Sequence, residues 1–489
     1  SLYDHSRTTA ALAALLVAEG SDAATLWQWL QKPEDAPTLA VLVAADVSGI
    51  QEFLYTINSS GATSALRGRS FYLQMLTEVV ARYTLRRLGL PITNLLYAGG
   101  GNFYLLVAPK HRELLPEIQR DIARILVRHH RGALYVALAA TDLAGKDFFG
   151  GEIAKAWARV SEQLQRAKLR RFGDLEAAEL QTLFEPQEDG GNADKECQVC
   201  GVEHPGTRKE GEEEGVRKCP ACRSHEQTGK ALRRASFLLL EDVEPVEAAI
   251  DGDAGDLHAV FAAFGMALSL FEGIADVRLR KGARATLLAL DDEALADLHP
   301  GARLAVGRRV LANATPVLSG QDAARLRADP AYKKDEGEVL EAGAIKPFSA
   351  LVYDASGIKR LGVLRMDVDN LGRLFADGLG TRATLSRVAS LSFAMSLYFE
   401  GWVDRIAREK VFRDHVYCIY SGGDDLFFVG AWDKIVTFAQ RVRGDFTRYV
   451  AGHPGLHTSA GIALAPAKYP LAQAASDAGD AEHKAKAAR

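Results

Sequence analysis

Tyr420-Ser421-Gly422-Gly423-Asp424-Asp425-Leu426-Phe427-Phe428 reads as strand, tight turn, strand, with two carboxylates at the turn. Its arms, Val416 to Tyr420 and Leu426 to Val429, are apolar enough to be buried strands. Gly and Asp are ordinary turn formers, so an acidic turn alone says little. About 55 residues upstream, however, another strand ends Arg365-Met366-Asp367-Val368-Asp369-Asn370. Carboxylates crowded at one sheet edge repel one another unless a cation neutralises them. The pattern therefore predicts a divalent-metal site built from Asp367, Asp369, Asp424 and Asp425. Asp367 and Asp424 are the first choices as bridging ligands, with Asp425 next, and these three are the expected catalytic residues. Two Mg²⁺ or Mn²⁺ ions held this way suit attack of a ribose 3′-hydroxyl on an α-phosphate, with pyrophosphate leaving.

The same layout occurs earlier without its acids. The apolar run Leu39 to Ala45 ends in Asp46-Val47-Ser48-Gly49, and Tyr97-Ala98-Gly99-Gly100-Gly101-Asn102 follows a helical stretch. Asp46 to Gly99 is 53 residues and Asp367 to Gly422 is 55, so one unit is present twice. Gly101 and Asn102 stand where Asp424 and Asp425 stand, and both are poor Mg²⁺ ligands. The first copy is expected to hold a nucleotide and the second to catalyse.

Hydrophobic periodicity orders the first copy as strand 39–45, helix 69–88, strands 95–98 and 103–108, helix 111–130 and strand 133–140. The second runs strand 361–368, helix 383–409, strands 415–420 and 426–430, helix 433–450 and strand 457–464. Both are βαββαβ, the ferredoxin-like order on which palm domains are built. The expected fold class is α+β: two ferredoxin-like palms in tandem, joined by a mixed connector containing a four-cysteine zinc ribbon. Expected boundaries are 1–37 helical, 38–145 first palm, 146–350 connector with the ribbon at 197–222, and 351–489 second palm. One helix is expected over residues 1 to about 30, and a last one from about 470. The stretch Gln187 to Asp194 reads as a polar link.

At 489 residues, 48% hydrophobic and 25% charged, the chain has the composition of a soluble globular protein of about three domains. No run of ~20 apolar residues is free of charge, so no membrane span is expected, and the start at Ser1 has no signal-peptide pattern. The expected compartment is the cytoplasm. A net charge of −4 argues against wrapping nucleic acid by bulk electrostatics. Any RNA is expected to be held mostly by a partner.

Cys197-x-x-Cys200 and Cys219-x-x-Cys222, separated by 18 residues, fit a closed structural Zn²⁺ site. Arg208, Lys209, Arg217 and Lys218 around it offer nucleic-acid contact, or else flank a solvated tip at Glu210 to Glu214. Leu66-Arg67-Gly68-Arg69-Ser70 opens a helix and reads either as a phosphate or partner contact or as a helix entry with exposed arginines. Backbone amides from Asn370 to Gly372 open another helix, whose positive end suits phosphate. His5 reads as a packed or surface histidine, and Cys418 as core.

The segments Asp46 to Phe53, Leu66 to Phe71, Leu364 to Gly372, Tyr420 to Phe427 and Ser459 to Ile462 strongly resemble the large subunit of type III-A CRISPR interference complexes, the CRISPR polymerase family. The resemblance spans nearly the whole chain. It implies an antiviral, RNA-binding effector complex in which this subunit makes cyclic oligoadenylate second messengers from ATP when target RNA binds. Its implied partners are the other complex subunits, with guide crRNA and target RNA reached through the complex, and no membrane. One ATP is implied at the second palm, near Asp369, Asn370, Leu371, Gly372, Ser421, Gly422 and Gly423, with Lys486 or Lys484 of the last helix on phosphate. Another is implied at the interface with the first palm, involving Ser48, Gly49, Gly99, Gly100 and Gly101. Family members usually begin with an HD nuclease domain that cuts single-stranded DNA. Only the first residues here look like its tail, so DNase activity is not expected of this chain, and the family's C-terminal helical domain is not seen either. Two other readings stand beside this one: a diguanylate-type cyclase, which would carry Glu at Asp425 and usually one palm, and a catalytically silent nucleotide-binding scaffold.

Overall fold

The computed structural model describes residues 2–55, 62–181, 183–184, 191–210, 215–246, 254–334 and 338–488. Residues 211–214 of the expected solvated tip, and 187–190 of the expected polar link, lie outside them. Fourteen strands are present among the described residues. They are β1 (Thr38–Ser48), β2 (Leu95–Gly99), β3 (Asn102–Val107), β4 (Tyr135–Ala144), β5 (Arg208–Glu210), β6 (Val216–Lys218), β7 (Phe237–Asp242), β8 (Met266–Phe271), β9 (Ala285–Ala289), β10 (Leu304–Arg308), β11 (Leu361–Val368), β12 (Val416–Gly422), β13 (Asp425–Ala431) and β14 (Thr458–Ala465). The chain divides into two units: 1–50 with 73–186 and 370–395, and 51–72 with 187–369 and 396–489.

In the first unit the sheet order is β2-β3-β1-β4, with β1 antiparallel to both neighbours. Residues alternate sides along a strand, and Ala40, Leu42 and Ala44 of β1 share a buried cluster with Ala156, Trp157, Val160 and Leu164 of the helix Glu152–Lys168. That helix, read from sequence as the start of the connector, packs on the first sheet and closes it. The single N-terminal helix expected is two, Leu2–Ala18 and Ala23–Gln31, the second begun by Asp22 accepting from Thr25 N at 2.9 Å. His5 is exposed.

In the second unit the sheet order is β12-β13-β11-β14, the same arrangement as the first. Even the irregularities match: the register slips between Leu95 and Tyr97 in one hairpin and between Cys418 and Tyr420 in the other. The last helix, Leu471–Ala487, lies close against β14 because Gly461 has no side chain. A Cβ there would meet Ala478 O at 1.9 Å. Cys418 is buried, as expected. The long helix expected at 383–409 is broken. Leu385–Ser396 is α-helical, Leu397–Trp402 widens into a π turn, and Val403–Ala407 resumes. The first piece buries Leu385 and Val388 in the first unit's core. The connector adds the β5–β6 hairpin and a sheet ordered β10-β9-β7-β8.

Candidate functional site: an acid-rich hairpin and its acid-poor counterpart

β11 delivers the first carboxylate to the β12–β13 turn by register. Asp367 pairs with Asp425 across the ladder, and Val368 N donates to Asp424 O at 3.2 Å. Gly423 takes φ +66°, a left-handed conformation that glycine adopts without strain, and this closes the turn. Asp367, Asp424 and Asp425 therefore share one field. Burial first, then the neighbouring Asp424 and Asp367 charges, push the Asp425 carboxyl up to about 8. Burial, then Asp367, push Asp424 up as well. Carboxylates raised in this way take up a proton or a cation, and hard oxygen donors suit Mg²⁺ or Mn²⁺.

Asp369 is placed differently from the other three. It is buried, its Oδ2 accepts from Ser459 Oγ at 2.8 Å, and its backbone N–H donates to His457 O at 2.8 Å. Among the described residues the four aspartates do not form a tight ligand cluster. Lys486 explains part of this, because its ammonium pairs with Asp367 and also reaches Glu482 Oε1 at 2.8 Å. Burial lowers the Lys486 pKa, but its bonds to Asp367 and Glu482 raise it by more. A divalent ion at Asp367 Oδ2 would compete with this lysine for that oxygen. Lys484, its sequence alternative, is exposed.

Of the other expected nucleotide contacts, Ser421 turns inward and donates to Phe399 O at 2.6 Å, which leaves its neighbours Gly422 and Gly423 to line the tip. Gly422 lies against the Glu400 carboxylate, where a Cβ would sit 3.3 Å from Oε1. Asn370 takes φ 60° and caps the helix Leu371–Asp377, only seven residues long, and Gly372 faces open space. Sequence reading missed Tyr55. Its ring meets Phe427 edge-on at 5.3 Å, and burial pushes its hydroxyl up to about 12, with the Arg365 and Asp425 charges nearby. It lies far from the hairpin in sequence and carried no local signal.

The first sheet repeats this frame with other chemistry. Asp46 pairs in register with Asn102, and Val47 N donates to Gly101 O at 2.9 Å. Gly49, at φ +92°, has no room for a side chain, since a Cβ would meet Ala133 O at 2.0 Å. Gly100 and Gly101 take φ +60° and +82° in the turn after Gly99. Lys168 Nζ meets Asp46 Oδ2 at 2.5 Å. Burial raises the Asp46 pKa against the pull of Lys168.

The sulfurs of Cys197, Cys200, Cys219 and Cys222 lie within 4.8 Å of one another, with Cys200 and Cys219 at 3.8 Å. A tetrahedron with Zn–S of about 2.3 Å has edges of about 3.8 Å, so the donor set fits zinc. The Arg67-Gly68-Arg69 segment corrects both of its sequence readings. Arg67 and Arg69 are each 4% exposed. Arg67 donates to Thr315 Oγ1 at 2.8 Å, and Arg69 donates to Phe53 O at 2.6 Å and to Cys222 Sγ at 3.4 Å. Between them Gly68 allows a close crossing with the helix Pro220–Leu232, since a Cβ would meet His225 O at 1.7 Å. Around the cysteines, Arg208 and Lys209 are exposed, whereas Lys218 is engaged by Glu226 at 2.5 Å.

Known proteins match the segments that carry both sheets. A family profile described as Csm1 subunit domain B matches residues 39–186, and one described as Cas10/Cmr2, second palm domain, matches 360–489. Two relatives are named CRISPR system single-strand-specific deoxyribonuclease Cas10/Csm1 (subtype III-A). That of Methanocaldococcus jannaschii is 30% identical over 97% of this chain and 61% of its own length. That of Mycobacterium tuberculosis is 31% identical over 99% of this chain and 58% of its own. The chain thus spans about three fifths of the length of the curated relatives it matches. A crystal structure of a Csm1–Csm4 cassette in complex with cA4 matches with TM-score 0.70 and 23% identity, over 100% of this chain and 57% of that one. The same cassette with one ATP matches with TM-score 0.70 and 23% identity, over 100% and 58%. These structures carry the fold, and the relatives, matched over 97% and 99% of this chain, together with the two profiles place it in the Cas10/Csm1 family of subtype III-A CRISPR systems.

Proposed function

We propose that this chain is the nucleotidyltransferase part of a type III-A effector subunit, joining ATP into cyclic oligoadenylates when the complex binds target RNA. The observation that carries the reading is the meeting of Asp367, Asp424 and Asp425 at one sheet edge, where burial and mutual repulsion raise Asp424 and Asp425. Divalent cations bound by these carboxylates would supply the Lewis acidity for attack by a 3′-hydroxyl on an α-phosphate and for pyrophosphate departure. The register of β11 on β13 fixes the spacing of Asp367 and Asp425, so little reorganisation of the backbone is needed. Lys486, displaced from Asp367, lies within reach of a phosphate and carries the charge to hold one. Asp369 is read as a positioning group through Ser459.

Both sheets are read as palms of ferredoxin-like order, the second catalytic and the first degenerate, with Ser48, Gly49 and Gly99 to Gly101 holding a second nucleotide. The helix Glu152–Lys168 extends the first palm beyond 145, and the region up to 350 is read as a connector bearing a structural zinc site. Similar solved structures are complexes of Csm1 with Csm4 that hold cA4 or ATP, and this supports a Csm4-type partner for this chain; crRNA and target RNA are read as reached through the complex. The relatives are named for a single-strand-specific deoxyribonuclease, which the sequence reading did not expect here.

The silent-scaffold reading draws on one observation, that a lysine already neutralises Asp367. Mass spectrometry of products separates the two. The full-length protein, assembled in its complex with target RNA, ATP and Mg²⁺ or Mn²⁺, is expected to release cyclic oligoadenylates. Asp424→Ala with Asp425→Ala is expected to abolish them with zinc content unchanged. Equal product from that double variant refutes the assignment. A diguanylate-type cyclase would instead consume GTP.

A further inference from the structure

Superposing the two registers residue by residue shows what replaced the metal site in the first sheet. Asp46 corresponds to Asp367 by ladder position, Ser48 to Asp369, Gly101 to Asp424, and Asn102 to Asp425. Lys168, at the end of the helix that closes the first sheet, corresponds to Lys486 at the end of the helix that closes the second. The second sheet therefore sets four carboxylates against one lysine. The first sets one carboxylate against one lysine, a neutral pair with no charge left to attract a divalent ion.

The two lysines also differ in what they have left to give. An ammonium carries three donors. Lys486 is held by Asp367 and by Glu482 one turn earlier on its helix. The residue one turn before Lys168 is Leu164, a buried core side chain. Among the described residues Lys168 meets only Asp46, and its side chain is 30% exposed. Two of its donors have no partner among the described residues. Ser48 lies two residues beyond Asp46 on the same side of β1, and its Oγ is buried with no hydrogen-bond partner among the described residues. The first sheet edge thus carries a neutral lysine–carboxylate pair with spare donors, an unpartnered hydroxyl and a glycine turn after Gly99, a donor set that suits an anion.

We propose that Lys168 is the built-in cation of the first sheet: it takes the place of a divalent ion and, with Ser48 Oγ, binds a nucleotide phosphate without metal. This rests on the reading of the first sheet as a nucleotide-holding palm, and adds its phosphate anchor and its independence of metal. Asp46 then acts as the group that orients Lys168, one donor held and two presented.

The test is ATP binding to the 489-residue chain in EDTA, followed by calorimetry, with circular dichroism confirming each variant's fold. Wild type is expected to bind ATP without metal. Lys168→Met is expected to weaken this at least tenfold, and Lys168→Arg to keep most of it. Asp46→Asn with Lys168→Met removes the buried charge as well as the lysine, so it separates a structural role from a binding one. The proposal expects that double variant to remain weak. Restored binding there, unchanged binding in Lys168→Met, or no ATP binding by wild type in EDTA each overturns it. Metal-dependent oligoadenylate synthesis by the assembled complex is read separately, so it can persist when this inference fails.

Discussion

Arg69 donates to the Cys222 sulfur at 3.4 Å while its guanidinium lies 5.1 Å from the Phe53 ring centroid. A cation buried against a thiolate cluster neutralises part of the charge that a four-cysteine zinc site accumulates. It also ties the segment after the first strand to the connector.

Arg69→Met is therefore expected to loosen the zinc site and the fold together. The change leaves Phe53 O without its donor and removes the cation from the thiolates, a loss on the order of 2–4 kcal/mol. Chelator titration is expected to release zinc at about tenfold lower chelator concentration than in wild type, converting ~1.4 kcal/mol of that loss. Arg69→Lys, which keeps the charge without the planar fork, is expected to fall between them. Unchanged zinc retention in Arg69→Met would show that the arginine only packs.

His129, in the last turn of the helix Leu115–His130, gives the chain an acid sensitivity of known sign. Burial first, and then the neighbouring Arg128, pull its pKa from 6.5 to about 4. The unfolded chain takes up a proton near pH 6.5 and the folded chain only near pH 4, so the unfolded state binds more protons between those values. Stability is lost as pH falls through this window. The His129 share is expected to amount to about 2 kcal/mol between pH 7 and pH 5, read by urea denaturation. His129→Leu is expected to remove that share of the slope, and an unaltered slope contradicts the assignment.

The strands and hairpins were legible because alternating apolar runs with Gly-rich turns are local signals, and the repeat was legible because its spacings agree within two residues. Lys168 was not legible. It sits in a run with Arg166, Arg170 and Arg171 that the sequence assigns to the connector, and only the packing of Trp157 and Val160 against β1 residues shows that this helix belongs to the first sheet. Arg67 and Arg69 misled because arginine is rarely buried. The close crossing at Gly68 and Gly229 draws both inside, and a Cβ on Gly229 would meet Ser64 O at 1.9 Å. Asp369 was grouped with Asp367 as a metal ligand, though not among the catalytic residues, because both close the same strand. It took the fold to show that Ser459 on β14 claims one of them. The break at Leu397–Trp402 follows no proline and had no sequence mark beyond Gly401.

The acid-rich sheet is expected to bind divalent metal and its acid-poor counterpart is not. Anomalous scattering from crystals of the chain grown with Mn²⁺ and a non-hydrolysable ATP analogue measures this directly. Manganese peaks are expected beside Asp367, Asp424 and Asp425, with Lys486 moved off Asp367, and no peak at Asp46. Manganese at Asp46, or none at the three aspartates with Lys486 still paired to Asp367, would contradict it.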